Sequence, residues 1–118
     1  MKENEVREKS IAFAKRVVFA YQYLCDEKKE YILSKQFLRS GTSIGANIAE
    51  AQYGSSRKDF LNKLYIALKE CAETLYWLDL LVSCNYLSQA EYLSLHDDCD
   101  ELRKLLSSIT KSTRNSIS

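Results

Sequence analysis

Apolar residues recur at alternating steps of three and four along four stretches of the chain, the spacing that lines one face of an α-helix. In the first stretch this inner face holds Ser10, Ala14, Val17, Tyr21 and Leu24. The charged run 26–30 interrupts the pattern before the second stretch begins. The periodicity predicts four helices, at about 5–26, 30–53, 57–84 and 89–111.

Local signals mark the predicted helix ends. The segment 53–55 breaks the second stretch, and Gly54 is expected to cap that helix at its C-terminus. Ser56 to Asp59 and Ser88 to Glu91 each place a hydroxyl at an N-cap position and an acid three residues later, the pattern of a capping box. The third and fourth helices are therefore expected to begin directly after these serines.

Two glycines lie inside the second predicted helix. Gly41 and Gly45 each cost about 1 kcal/mol there relative to alanine. Together with Ala49 they recur every four residues, which removes side-chain bulk along one line of the helix. A phosphate-binding loop does not fit, because neither G-x-G-x-x-G nor a lysine-bearing P-loop is present. The spacing predicts that a neighbouring helix approaches closely.

The predicted fold is all-α, an up-down-up-down antiparallel four-helix bundle formed by 1–118 as a single domain. The chain has 118 residues, no proline and only three glycines, which argues against a strand-rich fold with many tight turns. An intertwined helical dimer is the structural alternative. The polar stretch 111–118 is expected to fray.

Composition excludes several classes of protein. Seventeen basic and sixteen acidic residues give a net charge of +1, so a charged partner would have to be met by a local patch. The four cysteines lack zinc-binding spacing. No apolar signal segment opens the chain, and no run approaches the roughly 20 apolar residues of a membrane span. These features predict a cytoplasmic protein with reduced, structural thiols and no membrane partner.

The sequence offers no constellation for catalysis. A bundle di-iron site needs Glu-x-x-His on each of two helices, whereas this chain has Glu70-x-x-Glu73 and a single histidine, His96. His96 lies beside the predicted apolar stripe of the fourth helix and is interpreted as a bundle-edge residue. We expect no enzymatic activity, no metal, no cofactor and no small-molecule substrate.

A longer motif runs through the second and third helices: Ser43-Ile44-Gly45-Ala46-Asn47-Ile48-Ala49-Glu50-Ala51, then Ser56, Lys58-Asp59-Phe60, Lys63-Leu64, Ile66-Ala67, Lys69-Glu70, Glu73-Thr74 and Tyr76-Trp77-Leu78. It resembles the bacterial four-helix-bundle family of 23S rRNA intervening-sequence proteins. The accessory variability proteins of diversity-generating retroelements are similar in fold. Ala51 departs from the family pattern, which often has glycine there. The resemblance implies a ring, typically a pentamer, with no known catalytic activity and an association with RNA or ribonucleoprotein.

Apolar residues on the polar half of the third helix suggest a second contact. These residues are Ile66, Trp77, Leu80 and Leu81. Since a helix of an isolated bundle should be polar there, we interpret them as a subunit interface of a homo-oligomer. The alternative is a wide core face with Trp77 covered by a neighbouring helix.

Polar side chains flank the inner face of the second and third helices. Ser43, Asn47, Glu50 and Glu73 are interpreted as a polar network between helices that fixes their register, since buried polar groups must be hydrogen-bonded. A ligand site is the alternative interpretation.

Basic residues align along two predicted helices. Lys28, Lys35 and Arg39 share the outer face of the second helix if it extends back to 28, and Lys9 and Arg16 align on the first. These five are the candidate RNA contacts, against the alternative of a solvated charged face. The sequence thus predicts a non-enzymatic homo-oligomer that associates with RNA or ribonucleoprotein, or alternatively a protein-binding scaffold ring.

Overall fold

Four helices span the part of the chain that the computed structural model describes, residues 2–117. They are α1 (Lys2–Asp26), α2 (Leu33–Ala51), α3 (Arg57–Ser83) and α4 (Gln89–Ile117). Each helix packs against the next in the chain, and α1 also packs against α4, which closes the bundle. The prediction of an all-α four-helix bundle is confirmed. None of the described helices has the length and apolar character needed to span a membrane.

Helix α2 begins three residues later than the periodicity predicts, because a side chain before it caps its amides. The Glu30 carboxylate accepts hydrogen bonds from the backbone N–H groups of Ile32, Leu33 and Ser34 at 3.1, 3.1 and 2.7 Å. Glu30 is only 8% exposed, and Lys29 adopts a positive φ of 55° that turns the chain into this position. The carboxylate therefore takes the place of an N-cap side chain, since Ile32 provides none.

The other helix ends follow the predicted signals in part. Ser88 and Glu91 form the complete capping box expected before α4. Before α3 only half of the box forms: the backbone N–H of Asp59 bonds Ser56 Oγ, while the Asp59 carboxylate accepts from Ser55 Oγ. The C-cap of α2 is Gln52, so the assignment of this role to Gly54 was wrong.

The C-terminal part of α4 is helical where fraying was expected. The helix continues to Ile117, and Ser118 lies outside the described residues. Thr110 and Thr113 are buried against the bundle, and the Arg114 guanidinium lies 3.3 Å from the Tyr65 hydroxyl. These tertiary contacts hold the last turns, which a local polarity argument cannot detect.

The close packing of α1 on α2 explains why glycine occurs at positions 41 and 45 inside a helix. A β-carbon added at Gly41 would lie 2.8 Å from both Cγ atoms of Val17, and one at Gly45 would lie 3.3 Å from Ser10 Oγ. Val17 is fully buried. Helix α1 therefore occupies the space that a side chain at Gly41 would need, which confirms the predicted close approach.

One hydrophobic core runs between the helices. Its largest fully buried side chains include Phe13, Phe37, Leu78 and Leu106. A polar pair crosses this core, because the hydroxyls of Ser40 and Thr74 hydrogen-bond at 2.9 Å between α2 and α3. Among the described residues, every buried side-chain nitrogen or oxygen has a hydrogen-bond partner.

Candidate nucleic-acid interface

The predicted basic stripe is not continuous. Helix α2 begins at Leu33 and does not extend back to Lys28, so the condition under which Lys28 would share a helix face with Lys35 and Arg39 is not met. Lys28 is exposed, with its ammonium 6.0 Å from the centre of the Tyr23 ring. Lys35 is also exposed and forms no ion pair within residues 2–117.

Arg39 is engaged within the bundle. Its guanidinium donates hydrogen bonds to both oxygens of Glu70, at 3.1 and 3.3 Å, and to Glu73, across the α2–α3 contact. The bonds to Glu70 and Glu73 raise the pKa of Arg39 above its ordinary value. The indole N–H of Trp77 also donates to Glu73, and this bond, together with those from Arg39, lowers the pKa of the Glu73 carboxyl. The Arg39 charge is thus largely compensated.

Lys9 and Arg16 join α1 to α4. The Lys9 ammonium lies 2.8 Å from Glu101, which is the main reason that the pKa of Lys9 is raised. Arg16 pairs with Asp98 at 2.6 Å and also donates to Ser94 Oγ. Three of the five candidate RNA contacts therefore form intramolecular ion pairs, and using them would require giving up a helix–helix contact.

The polar residues singled out from the sequence are divided among three arrangements. Ser43 Oγ donates to the carbonyl of Arg39, and Asn47 Nδ2 donates to the carbonyl of Ser43, so both bond within their own helix. Glu50 pairs with Lys63 at 2.9 Å, which links α2 to α3. Glu73 belongs to the Arg39 cluster.

The outer face of α3 is less apolar than predicted. Leu81 is fully buried in the core, so its assignment to the outer face was wrong. Trp77 and Leu80 are half-buried, and the Trp77 ring packs against the core while its N–H bonds Glu73. Of the four predicted interface residues only Ile66 is exposed, at 41%.

Exposed apolar side chains are instead prominent on α1. Ile11 and Val18 lie seven residues apart on its outer face, 54% and 37% exposed, and Phe19 beside them is 67% exposed. The prediction for α1 used only its first apolar stripe. The heptad spacing of Ile11 and Val18 was the signal for a second stripe.

Cations outnumber carboxylates at one end of the bundle, where α1 and α3 begin and α4 ends. Cations without an ion pair among the described residues are not confined to this end, because Lys28, Lys29 and Lys35 near the other end are unpaired as well. At the end where α1 and α3 begin, four cations form no ion pair within the described chain: Lys2, Arg57, Lys58 and Lys111. We call this end of the bundle the basic end. Lys2 donates to Ser108 Oγ at 2.6 Å, and the Arg57 guanidinium lies 4.4 Å from the centre of the Phe60 ring. The four cations come from three segments that are far apart in the sequence, and the antiparallel topology brings these segments to one end.

The charge balance distinguishes the two ends. The segments 2–5, 52–59 and 108–117 contain five cations and three carboxylates, whereas 26–36 and 83–91 at the opposite end contain three cations and four carboxylates. From residue 102 onward the chain has no acidic residue, which was the sequence signal for the basic end. Cations in the last turns also suit the negative end of the α4 dipole.

No group of three or more metal-ligating side chains converges within residues 2–117. Cys71 and Cys99 are buried, with Cys99 Sγ 3.6 Å from the Cys71 carbonyl oxygen. The contact with Cys71, together with burial, raises the pKa of the Cys99 thiol well above its ordinary value. This thiol is therefore held in its protonated, unreactive form.

The fold and these residues can be compared with known proteins. The family model for the 23S rRNA-intervening sequence protein matches residues 2–108. The chain belongs to this family. A crystal structure at 1.70 Å resolution of a protein of unknown function from the S23 ribosomal protein family of Bacteroides thetaiotaomicron is 55% identical. It covers 94% of this chain and 99% of its own, with a TM-score of 0.93. No functionally curated protein is significantly similar.

Proposed function

We propose that this 23S rRNA-intervening sequence protein is a non-enzymatic, cytoplasmic homo-oligomer that associates with RNA or a ribonucleoprotein through its basic end. The observation that supports this most directly is the excess of cations over carboxylates at this end, where Lys2, Arg57, Lys58 and Lys111 form no ion pair within the described chain. RNA affinity comes largely from neutralising backbone phosphates, and a cation already paired with a carboxylate contributes little to it. The candidate RNA surface therefore lies at the basic end and not along the stripe containing Arg39.

Assembly would make this modest charge effective. A cyclic oligomer repeats the basic end once in each subunit, so that later contacts become intramolecular and avidity rises about a hundredfold or more. The proposed arrangement is a ring, and the family resemblance implies that this ring is a pentamer. We place the subunit contact on the outer face of α1, because this helix has three large exposed apolar side chains, Ile11, Val18 and Phe19, whereas α3 has two, Ile66 and Tyr76.

The subunit contact is tested by light scattering coupled to size exclusion. Ile11→Glu should give a smaller, fully helical species, because it puts a charge into an apolar contact. Ile66→Glu, the matched change on the exposed part of α3, should leave the native size unchanged. A native protein that is monomeric at micromolar concentration, or dissociation by Ile66→Glu alone, would contradict the α1 contact.

RNA binding is tested by fluorescence anisotropy with a labelled single-stranded RNA across a salt series. The native protein should bind with an affinity that falls as salt rises, by about 0.7 log units per log unit of salt for each phosphate contacted. Lys58→Glu combined with Lys111→Glu should weaken binding at least about tenfold. Lys35→Glu with Lys69→Glu makes the same charge change away from the basic end and should have a much smaller effect.

The alternative function is a protein-binding scaffold ring without direct nucleic-acid contact. The exposed apolar side chains on α1 are the observation that favours it, since such surfaces also bind other proteins. Absence of RNA binding at low salt, with a polypeptide co-purifying with the oligomer, would favour the scaffold over the RNA-associated protein.

A further inference from the structure

A cavity of about 200 Å³ opens at the basic end between three helices. Lys2 of α1 and Arg57 of α3 line it from two sides, and Ser108, Ser112 and Ser116 of α4 line it from the third. Since a liquid water molecule occupies about 30 Å³, the space accepts a group several times that size. Positive charge and hydroxyl donors therefore converge on one volume.

The donors differ in how freely they can serve a ligand. Lys2 already donates to Ser108 Oγ, and Ser116 Oγ donates to the Thr113 carbonyl. Arg57 forms no ion pair among residues 2–117, and its guanidinium is held against the Phe60 ring, which limits the orientations it can adopt. At the start of α3 the backbone N–H groups of Asp59 and Phe60 are already bonded to Ser56, to its hydroxyl and its carbonyl oxygen respectively.

We propose that this cavity binds one phosphate group of an RNA backbone, with Arg57 and Lys2 as the charged donors and the Ser112 hydroxyl as a third. The inference rests on the proposed function and names the contact at which it is made. A planar guanidinium matches two phosphate oxygens, and an ammonium adds a point charge. Ser112 and Ser116 lie beyond residue 108, where the family match ends.

One lining residue opposes anion binding. Glu3 also borders the cavity, and its carboxylate would repel a phosphate. Removing this carboxylate should therefore increase the affinity for RNA, whereas removing a binding residue would decrease it. Glu3→Gln should strengthen RNA binding severalfold, whereas removing an exposed carboxylate at the opposite end, as in Glu27→Gln, should have a smaller effect.

The decisive comparison uses two serines of α4 in the full-length protein. Ser112→Glu places a negative charge in the cavity, and Ser107→Glu places the same charge on the exposed outer surface of the same helix. With a labelled single-stranded RNA at low salt, Ser112→Glu should weaken binding at least about tenfold and Ser107→Glu less than about threefold. Circular dichroism melts of both variants verify that the helices remain folded.

The outcomes separate this site from the wider proposal. Native RNA binding that both serine variants weaken equally would overturn the cavity and leave RNA association through the basic end intact. Absence of native RNA binding would overturn both. Inorganic phosphate distinguishes the source of the ligand: if it competes with RNA at micromolar concentrations, the cavity serves free phosphate and the assignment to an RNA backbone is wrong.

Discussion

Gly41→Leu should destabilise the bundle by about 3 kcal/mol, a large share of the total for a domain of this size. The reason is the contact between α1 and α2. Even a β-carbon at this position would lie 2.8 Å from Cγ1 and Cγ2 of Val17, a β-branched side chain with little rotamer freedom in a helix. Thermal melts at fixed protein concentration measure the loss, with about 4 °C expected per kcal/mol.

A double-mutant cycle identifies the cause. The substitution Gly41→Ala gains about 1 kcal/mol of helix propensity. In the native background the clash with Val17 should outweigh this gain, so that the variant is less stable. In a Val17→Ala background both clashing methyl groups are absent, so the same Gly41→Ala change should become stabilising. Gly45→Ala is the control, because its nearest neighbour, Ser10 Oγ, is farther away at 3.3 Å. Stabilisation by Gly41→Ala in the native protein would show that α1 and α2 are not in close contact there.

Glu30→Ala should cost about 2 kcal/mol, more than most single changes in a loop. The carboxylate accepts hydrogen bonds from three backbone N–H groups at the start of α2, and the fully buried Ser34 provides the shortest of them. Removing the acceptor leaves these donors without a partner. Glu27→Ala, an exposed carboxylate in the same connection, should change the free energy of unfolding by less than about 0.5 kcal/mol in urea titrations.

The same carboxylate gives stability a pH dependence. Burial alone would raise the pKa of Glu30, but the hydrogen bonds from Ser34, Leu33 and Ile32 outweigh it and hold the pKa below its ordinary value of 4.5. The unfolded chain therefore binds this proton more tightly than the folded one. The stabilisation is complete above the unfolded pKa and is lost as the pH falls through the folded pKa. Glu30→Gln should remove that part of the acid-induced loss, and an unchanged acid profile would contradict the capping role.

Local patterns in the sequence predict this fold well and the surface less well. Periodicity and capping boxes depend on neighbours within one or two turns, so four helices and the start of α3 follow directly. Leu81 is buried because α3 packs against both α2 and α4, so that the buried face of α3 is wider than one apolar stripe. The rotation of α3 between these two helices does not follow from local spacing. The pairing of Arg39 with Glu70 is likewise invisible, because 31 positions separate them in the chain.

The seam between the first and last helices has the least extensive helix contact of the four seams. Apolar packing and close backbone contact hold α1 to α2, while ion pairs of Lys9 and Arg16 are prominent between α1 and α4, where helix contact is least extensive. Exposed ion pairs are weak and screened by salt, whereas apolar contacts are not. The bundle also has ion pairs between α2 and α3, such as Arg39–Glu70 and Glu50–Lys63, but those lie on its most extensive helix contact, whereas the pairs between α1 and α4 lie on its least extensive one. Its lowest-energy opening should part α1 from α4 while α2 and α3 stay together, with ionic strength setting how often this breathing motion occurs.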